Sequence, residues 1–249
     1  MAGPEMTGDP VLLVRPGLGF EATYPLALAS LAAALRSAAI PAKGADLRLH
    51  PDALAPLLRQ GLRAAVVEAS LRNLDAARAV AARVRRDAGC PVAVVGAAAA
   101  VQPRAFLGRG IADLVVTGDP ERVLPEWLAG GASAVPAGGL VPGGLAVDPD
   151  PCEGRLEGPL PVPDREVFRV ADYSAHPFRQ APPGAAIEAS RGCPHSCPWC
   201  TVPRHHGSVL RPRPPEEVAG EMARLRSGHG VWRFAFEDDQ PLADPAWFR

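Results

Sequence analysis

Along the first 130 residues, short apolar runs alternate with stretches whose apolar positions recur every three or four residues. Val11-Leu12-Leu13-Val14, Ala64 to Glu68, Val92 to Val95 and Asp113 to Val116 predict buried strands, and a shorter one is predicted near Ala45 to Leu47. Between them, Leu26, Leu28, Leu31 and Leu35 fall at helical spacing in an alanine-rich segment, with Pro25 tolerated in the first turn. A weak helix is predicted over Ala53 to Gln60. A stronger one covers Asp75 to Asp87, with Ala76, Val80 and Val84 on one face, and Pro120 and Glu121 open another that runs to Leu128. Strands alternating with helices specify parallel pairing through crossovers, hence a doubly wound, Rossmann-like α/β sheet. Ligands of such sheets sit beyond the carboxyl ends of the strands. Here those ends are Arg15 to Tyr24, Glu68 to Asn73, Gly96 to Val101 and Thr117 to Glu121.

The pattern breaks after residue 130. Residues 131–163 hold seven Pro and seven Gly, enough to forbid a long element and to permit turns and one hairpin around Pro142-Gly143-Gly144. The predicted division is therefore 1–130, a linker over 131–183, and a second α/β unit over 184–249. That unit begins with strand Ala185 to Glu188 and passes through a cysteine-rich loop. Pro214, Pro215, Glu216 and Glu217 then start a helix with Val218, Met222 and Leu225 on its apolar face, followed by strand Arg233 to Phe236.

Composition adds limits. Hydrophobic residues make up 47% and charged residues 21% of 249 positions, which is globular material. A net charge of -1 argues against a nucleic-acid-coating surface. No run of about 18 apolar residues would span a membrane. The first ten residues lack a basic start followed by an apolar core, so a cytoplasmic location is expected. Basic charge is almost all Arg, Lys43 being the single lysine, and this says little about function.

Three of the five cysteines lie within eight residues: Cys193-Pro-His-Ser-Cys197-Pro-Trp199-Cys200. In a reducing compartment, such spacing between a strand and a helix reads as a metal site rather than a disulfide framework. Three thiolates on one loop can hold three corners of a cubane 4Fe-4S cluster and leave one iron open to a further ligand. A structural zinc site, with His205 or His206 as fourth ligand, is the competing reading. It is weakened because every candidate ligand crowds one loop, and because the histidines, in a basic segment, read as solvated. Cys90 and Cys152 are read as incidental, Cys90 as a loop or buried thiol.

The segment Glu188-Ala-Ser-Arg-Gly-Cys193-Pro-His-Ser-Cys197-Pro-Trp-Cys200 resembles the signature of radical S-adenosylmethionine (radical SAM) enzymes. The resemblance implies that Cys193, Cys197 and Cys200 bind a 4Fe-4S cluster whose open iron chelates S-adenosylmethionine, with Trp199 beside the adenine. Phe234-Ala-Phe-Glu-Asp238-Asp239-Gln240 resembles the family's second motif, which would put Asp238, Asp239 and Gln240 near the cofactor's amino group. In isolation, Glu237-Asp238-Asp239 would read as a solvated acidic turn.

Gly17-Leu-Gly19-Phe-Glu-Ala22, with Asp46 further on, matches a loose dinucleotide fingerprint. That mechanism needs the helix to start inside the motif, whereas Pro25 places the start after it. The N-terminal order of segments instead resembles the cobalamin-binding domain that precedes many radical SAM domains, and Gly158-Pro-Leu-Pro-Val-Pro-Asp-Arg-Glu-Val-Phe resembles the connecting segment. The resemblance implies cobalamin contacts near Ser70, Gly96 and Gly118. Gly96-Ala97 stands where a glycine pair is usual, Gly118-Asp-Pro-Glu121 where a Gly-Glu-Gly-Glu-like run is usual, and the Asp-x-His-x-x-Gly cobalt-ligand motif is absent. Ordinary turns of a doubly wound sheet are the bland account of these residues.

The resulting expectation is a cobalamin-dependent radical SAM enzyme, a C-methyltransferase, acting on a small molecule and reduced by a flavodoxin- or ferredoxin-type electron donor. Two rivals stand beside it. One is a methylthiotransferase-like RNA- or protein-modifying enzyme, which would need a second cluster that Cys90 and Cys152 cannot build. The other is a non-catalytic fragment or zinc-binding module. The family's barrel takes about six β/α units and about two are visible here, so the chain reads as truncated within that domain.

Overall fold

The computed structural model describes residues 8–17, 23–143, 154–173, 183–241 and 244–247. Five parallel strands form the first sheet: β1 (Val11–Arg15), β2 (Ala42–Asp46), β3 (Ala64–Glu68), β4 (Val92–Val95) and β5 (Leu114–Val116). A sixth, β6 (Gly139–Leu140), closes the far edge antiparallel to β5, giving the order β2-β1-β3-β4-β5-β6. The helices between them are α1 (Leu26–Ser37), α2 (Leu54–Leu58), α3 (Leu74–Ala88), α4 (Ala97–Val101), α5 (Arg104–Leu107) and α6 (Pro120–Ala129).

Alternation along the strands builds the core on both faces. Val11, Leu13, Val66, Val95 and Val116 join α1 and α6 in one cluster. Leu12, Val14, Val67, Val94 and Val115 join α2, α3 and α5 in the other. A strand whose odd and even residues are both buried needs a continuous apolar run, which is what the sequence shows at β1, β3 and β4. The inward face of α3 is Ala77, Ala81 and Val84, so the predicted stripe is one position out at its start and Val80 lies at its margin. β2 begins three residues earlier than expected. Its first half, Ala42-Lys43-Gly44, lacks β-branched residues and is recruited by pairing with β1.

The second unit contains β7 (Ala185–Ile187), β8 (Ser190–Arg191), α7 (Val202–His205), β9 (Arg211–Pro212), α8 (Pro215–His229) and β10 (Phe234–Phe236). β10 lies parallel to β7 across α8, as a β/α repeat requires, and β8 pairs antiparallel with β9 to clamp the cysteine loop at its base. Gly139 and Leu140, just before the expected hairpin around 142–144, pair with β5 on the edge of the main sheet; Gly144, like Gly19 and Cys152, lies outside the described residues.

The connecting segment is built into the core. Phe168, Val170 and Tyr173 are buried with α1, β7 and α8 in one continuous cluster. A Cβ on Gly44 would meet the Val167 carbonyl oxygen at 2.4 Å, so the strap crosses directly over β2 where a side chain is missing. Tyr24 anchors it from below, with ring centroids 5.1 Å from Tyr173 and 6.3 Å from Phe168, and the Arg165 guanidinium over its face at 4.7 Å. Arg165 donates to Glu221 and to the Ala186 carbonyl, and Arg213 donates to the other Glu221 oxygen at 2.7 Å. One buried carboxylate on α8 thus ties the strap to the second unit.

Candidate functional site

The parallel order reverses direction between β1 and β3, and at such a switch the loops diverge and leave a crevice. A cavity of about 690 Å³ opens there. Its walls include Arg15 at the end of β1, Ser70 after β3, Gly96 after β4 and Gly118 after β5, so the three residues singled out at strand ends do meet around one space. Arg15 crosses the switch, its Nε 3.2 Å from Glu68 and its Nη1 donating to the Thr23 carbonyl at 2.6 Å. Ser70 and Asn73 close a tight turn before α3, each backbone N–H donating to the other's side-chain oxygen. Gly96 has φ 101°, and a Cβ there would lie 2.7 Å from the Ala69 carbonyl oxygen, which explains glycine at that strand end.

Asp46 does not serve a dinucleotide. It is 3% exposed, accepts from Arg48 Nε and Nη2, and takes the Tyr173 hydroxyl at 3.1 Å. A ribose would have to displace all of these, so the fingerprint reading fails on geometry as well as on helix position.

The second unit contributes Arg191, His205 and His206 to the same cavity. Arg191 is 3% exposed and directs every guanidinium hydrogen at a carboxylate. Nη1 and Nη2 grip Glu121 at 3.1 and 2.9 Å, while Nε and Nη2 grip Glu188 at 2.9 and 2.8 Å. Nη1 also reaches Asp119 at 3.4 Å. Asp119, 1% exposed, additionally accepts from Arg155, Arg211 and the Leu156 N–H. Three carboxylates and three guanidiniums therefore form a neutral buried cluster between the β5–α6 turn and the cysteine loop. Burial alone would raise the Asp119 carboxyl, but the Arg211 hydrogen bond and the charges of Arg191 and Arg211 outweigh it and hold the group well below the usual carboxylate range. Glu188 is likewise depressed, burial being overcome by Arg191. In the Gly118-Asp-Pro-Glu121 run, then, both acidic side chains are committed to protein cations.

Cys193, Cys197 and Cys200 are free thiols, Cys193 half-buried and the other two exposed, on the loop leaving β8. The Cys193 N–H donates to the Gly207 carbonyl and the Cys200 N–H to that of Cys197, so the loop is turned back on itself. Among the described residues, no three His, Cys, Asp or Glu side chains stand close enough to share a single ion. A cubane makes a different demand, because its three thiolates bind three different irons and need only frame it. Trp199 is 82% exposed beside the third cysteine.

Asp238 and Asp239 reach this loop through its backbone. Asp238 accepts from the Ala189 N–H at 3.1 Å, from the Ser190 N–H, and from the Ser190 hydroxyl at 2.6 Å. Asp239 accepts from the Gly192 N–H at 2.9 Å and from His206 Nδ1 at 2.7 Å. Gln240 Nε2 lies 3.4 Å from His195 Nε2. The end of β10 is therefore a clasp on the residues before the first cysteine rather than a solvated turn. His205 and His206 also depart from the sequence reading. They stack at 3.9 Å against the cavity, and burial, then the charges of His206, Arg191 and Arg155, keeps His205 well below the ordinary imidazole range. Cys90 is buried in the core of the main sheet, 7% exposed, where burial raises its thiol pKa.

No protein-family model matches the chain. Over 94 residues it is 33% identical to the anaerobic magnesium-protoporphyrin IX monomethyl ester cyclase of Synechocystis sp., a match covering 35% of this chain and 19% of that protein. Over 77 residues it is 31% identical to the cytidylyl-2-hydroxyethylphosphonate methyltransferase of Streptomyces wedmorensis, covering 31% of this chain and 14% of that one. The radical S-adenosylmethionine methyltransferase TsrM of Kitasatospora setae, solved with cobalamin and a 4Fe-4S cluster, superimposes with a TM-score of 0.74 at 19% identity, over 97% of this chain and 51% of that one. Its structure with tryptophan substrate and a SAM analogue gives 0.72 at 20%, over 96% and 49%. The chain spans about half the length of these solved neighbours and a smaller part of the curated relatives. Among the described residues, no helix is long and apolar enough to cross a membrane. A superposition over nearly its whole length gives this chain the fold of the radical SAM methyltransferase TsrM, and over about a third of its length it is similar in sequence to the cyclase and to the phosphonate methyltransferase.

Proposed function

We propose that the chain carries the cobalamin and 4Fe-4S sites of a radical SAM C-methyltransferase, with residues 1–130 holding the corrinoid, 131–183 linking, and 184–249 opening the radical SAM unit. The observation that carries this reading is the junction at Arg191. One guanidinium, two positions before Cys193, forms part of the wall of the strand-end cavity and is pinned by the β5–α6 turn of that cavity.

The donor chemistry fits both groups. Three free thiols on one short, turned-back loop suit three irons of a cubane. A cavity of about 690 Å³ at a topological switch, lined by Gly96, Gly118 and Ser70, gives one edge of a corrinoid room to enter. When bound, the cluster supplies the electron for reductive cleavage of S-adenosylmethionine and the corrinoid supplies the methyl group. The protein's share is placement. Cys193, Cys197 and Cys200 hold the cluster, and Trp199 offers a flat face to the adenine. Asp238 and Asp239 act on the cofactor by fixing the loop amides at 189, 190 and 192, and Gln240 stands at the loop's rim. Ser70, Gly96 and Gly118 bring backbone and hydroxyl groups to the corrinoid edge. A small-molecule substrate, a flavodoxin- or ferredoxin-type reductant and a reducing, cytoplasmic setting complete the proposal.

The test is anaerobic iron–sulfur reconstitution of the 249-residue chain, followed by EPR of the dithionite-reduced protein with and without S-adenosylmethionine. The expected result is about four irons per chain and a reduced-cluster signal that shifts when the cofactor is added. Cys193→Ala, Cys197→Ala and Cys200→Ala should each lose most of the iron. A colourless protein holding one zinc would overturn the cluster assignment. Absence of a retained corrin absorbance after incubation with hydroxocobalamin would overturn the methyl-transfer assignment.

A further inference from the structure

Of the groups that the second unit lends to the cavity, Arg191 has no hydrogen left to offer, since Glu121, Glu188 and Asp119 take them all. The imidazoles of His205 and His206 are what remains to meet a ligand from that side. The two are not equivalent. His206 Nδ1 sits 2.7 Å from Asp239 Oδ2, and that carboxylate is itself fixed by the Gly192 N–H at 2.9 Å. A carboxylate on one ring nitrogen places the hydrogen there and leaves a lone pair on the other. Stacking on His205 at 3.9 Å and 26° sets the plane of the ring. An imidazole oriented by a carboxylate, on the wall of a cavity, is the arrangement of a proton acceptor.

We propose that His206 is the proton acceptor of this cavity, with Asp239 as its positioning residue. The inference rests on the cobalamin reading and names the chemistry on the cysteine-loop side of that site: a reacting group X–H on the ligand or methyl acceptor, where X is oxygen, nitrogen or activated carbon. X–H donates to Nε2. When the proton moves, the bonding pair stays on X, the proton goes to Nε2, and the imidazolium is paired with Asp239. Besides Asp239, the titratable and charged groups acting on this residue are His205 stacked on the ring, Glu188 of the buried cluster, and Arg211, whose Nη2 donates to the His206 carbonyl at 2.9 Å.

Hydroxocobalamin is a usable probe, because in its aqua form the water on cobalt is such an X–H donor. The full chain, its cluster reconstituted anaerobically, would be loaded with it, and the aqua-to-hydroxo transition followed by absorbance against pH. An acceptor with a carboxylate behind it favours the cationic aqua form. The wild-type transition should therefore lie about one pH unit above that of His206→Ala. His206→Gln, which keeps an acceptor, should recover part of the shift. Asp239→Asn should lose part of it, and His205→Ala, which removes only the stacking partner, should lose less than Asp239→Asn does. A thermal melt of each variant checks that it is folded. A bound corrin spectrum whose transition is the same in wild type and His206→Ala overturns this inference alone. Failure of the wild type to retain the corrin overturns it together with the reading beneath it.

Discussion

An Arg191→Met variant is expected to lose about 3–5 kcal/mol of folding stability, the usual cost of stranding buried charges by removing their partner. Against a total of about 5–15 kcal/mol for a domain of this kind, that is enough to lower the urea midpoint severely. The cost arises on the carboxylate side, since Glu121, Glu188 and Asp119 would be left in a dry cluster holding two guanidiniums instead of three. The triple variant Arg191→Met, Glu121→Gln, Glu188→Gln should recover much of the loss, because it removes the charges together. The pH dependence gives a sharper readout. In the wild type, Asp119 and Glu188 are depressed in the folded state, so their contribution is complete above the unfolded carboxylate values of about 4 and is lost as pH falls toward the folded ones. The wild-type melting temperature should hold level from neutral pH to about pH 5 and then fall. In Arg191→Met, the carboxyls facing the gap lose their strongest cation and burial raises them. The slope should reverse, with stability rising between about pH 7 and 5. A variant that melts like the wild type at every pH would show that the cluster is not what joins the two units.

The two units differ in how much of them could be read beforehand, and the reason is physical. β3 and β4 appear at the predicted residues because both their faces are buried, and two-sided burial writes an unbroken apolar run into the chain. β8 and β9, two residues each, have no period to detect and exist only because each pairs with the other across the cysteine loop. The strand-end positions Ser70, Gly96 and Gly118 were legible for a topological reason, since any parallel sheet gathers its carboxyl ends. What that reasoning could not supply is the side chain arriving from elsewhere. Glu121 and Arg191 are seventy residues apart, and their pairing decides that the acidic run after β5 faces protein rather than ligand. The sequence around His206 hides its role for the same reason. A histidine after Pro203 in a basic stretch looks solvated until Asp239, from the next strand, is seen to hold it. The Glu237-Asp238-Asp239 turn carried the one available signal, because carboxylates one strand beyond a cysteine loop are placed to accept from its amides.

Gly192→Ala is expected to cost about 2–4 kcal/mol and, more tellingly, to remove the iron-binding ability of the loop without touching a thiol. Gly192 adopts φ 93°, a region that an alanine enters only with strain. A Cβ there would also stand 2.2 Å from the Val209 carbonyl oxygen, a backbone atom that no rotamer change can move aside. Relief requires the segment carrying Val209 and β9 to separate from the segment carrying β8. That in turn breaks the Gly192 N–H bond to Asp239 and the Cys193 N–H bond to Gly207. Gly89, the αL cap of α3, supplies the control: it has φ 65° with open space where a Cβ would go, so Gly89→Ala carries strain alone, about 1 kcal/mol, far from the loop. The comparison is made by iron content after anaerobic reconstitution, alongside urea midpoints. If Gly192→Ala binds iron as well as Gly89→Ala does, the loop finds its geometry without the β8–β9 clamp, and the thiols alone organise the cluster. If it folds but stays iron-poor, the clamp sets the spacing of the three thiolates, and the glycine before the first cysteine is as much a part of the site as the cysteines themselves.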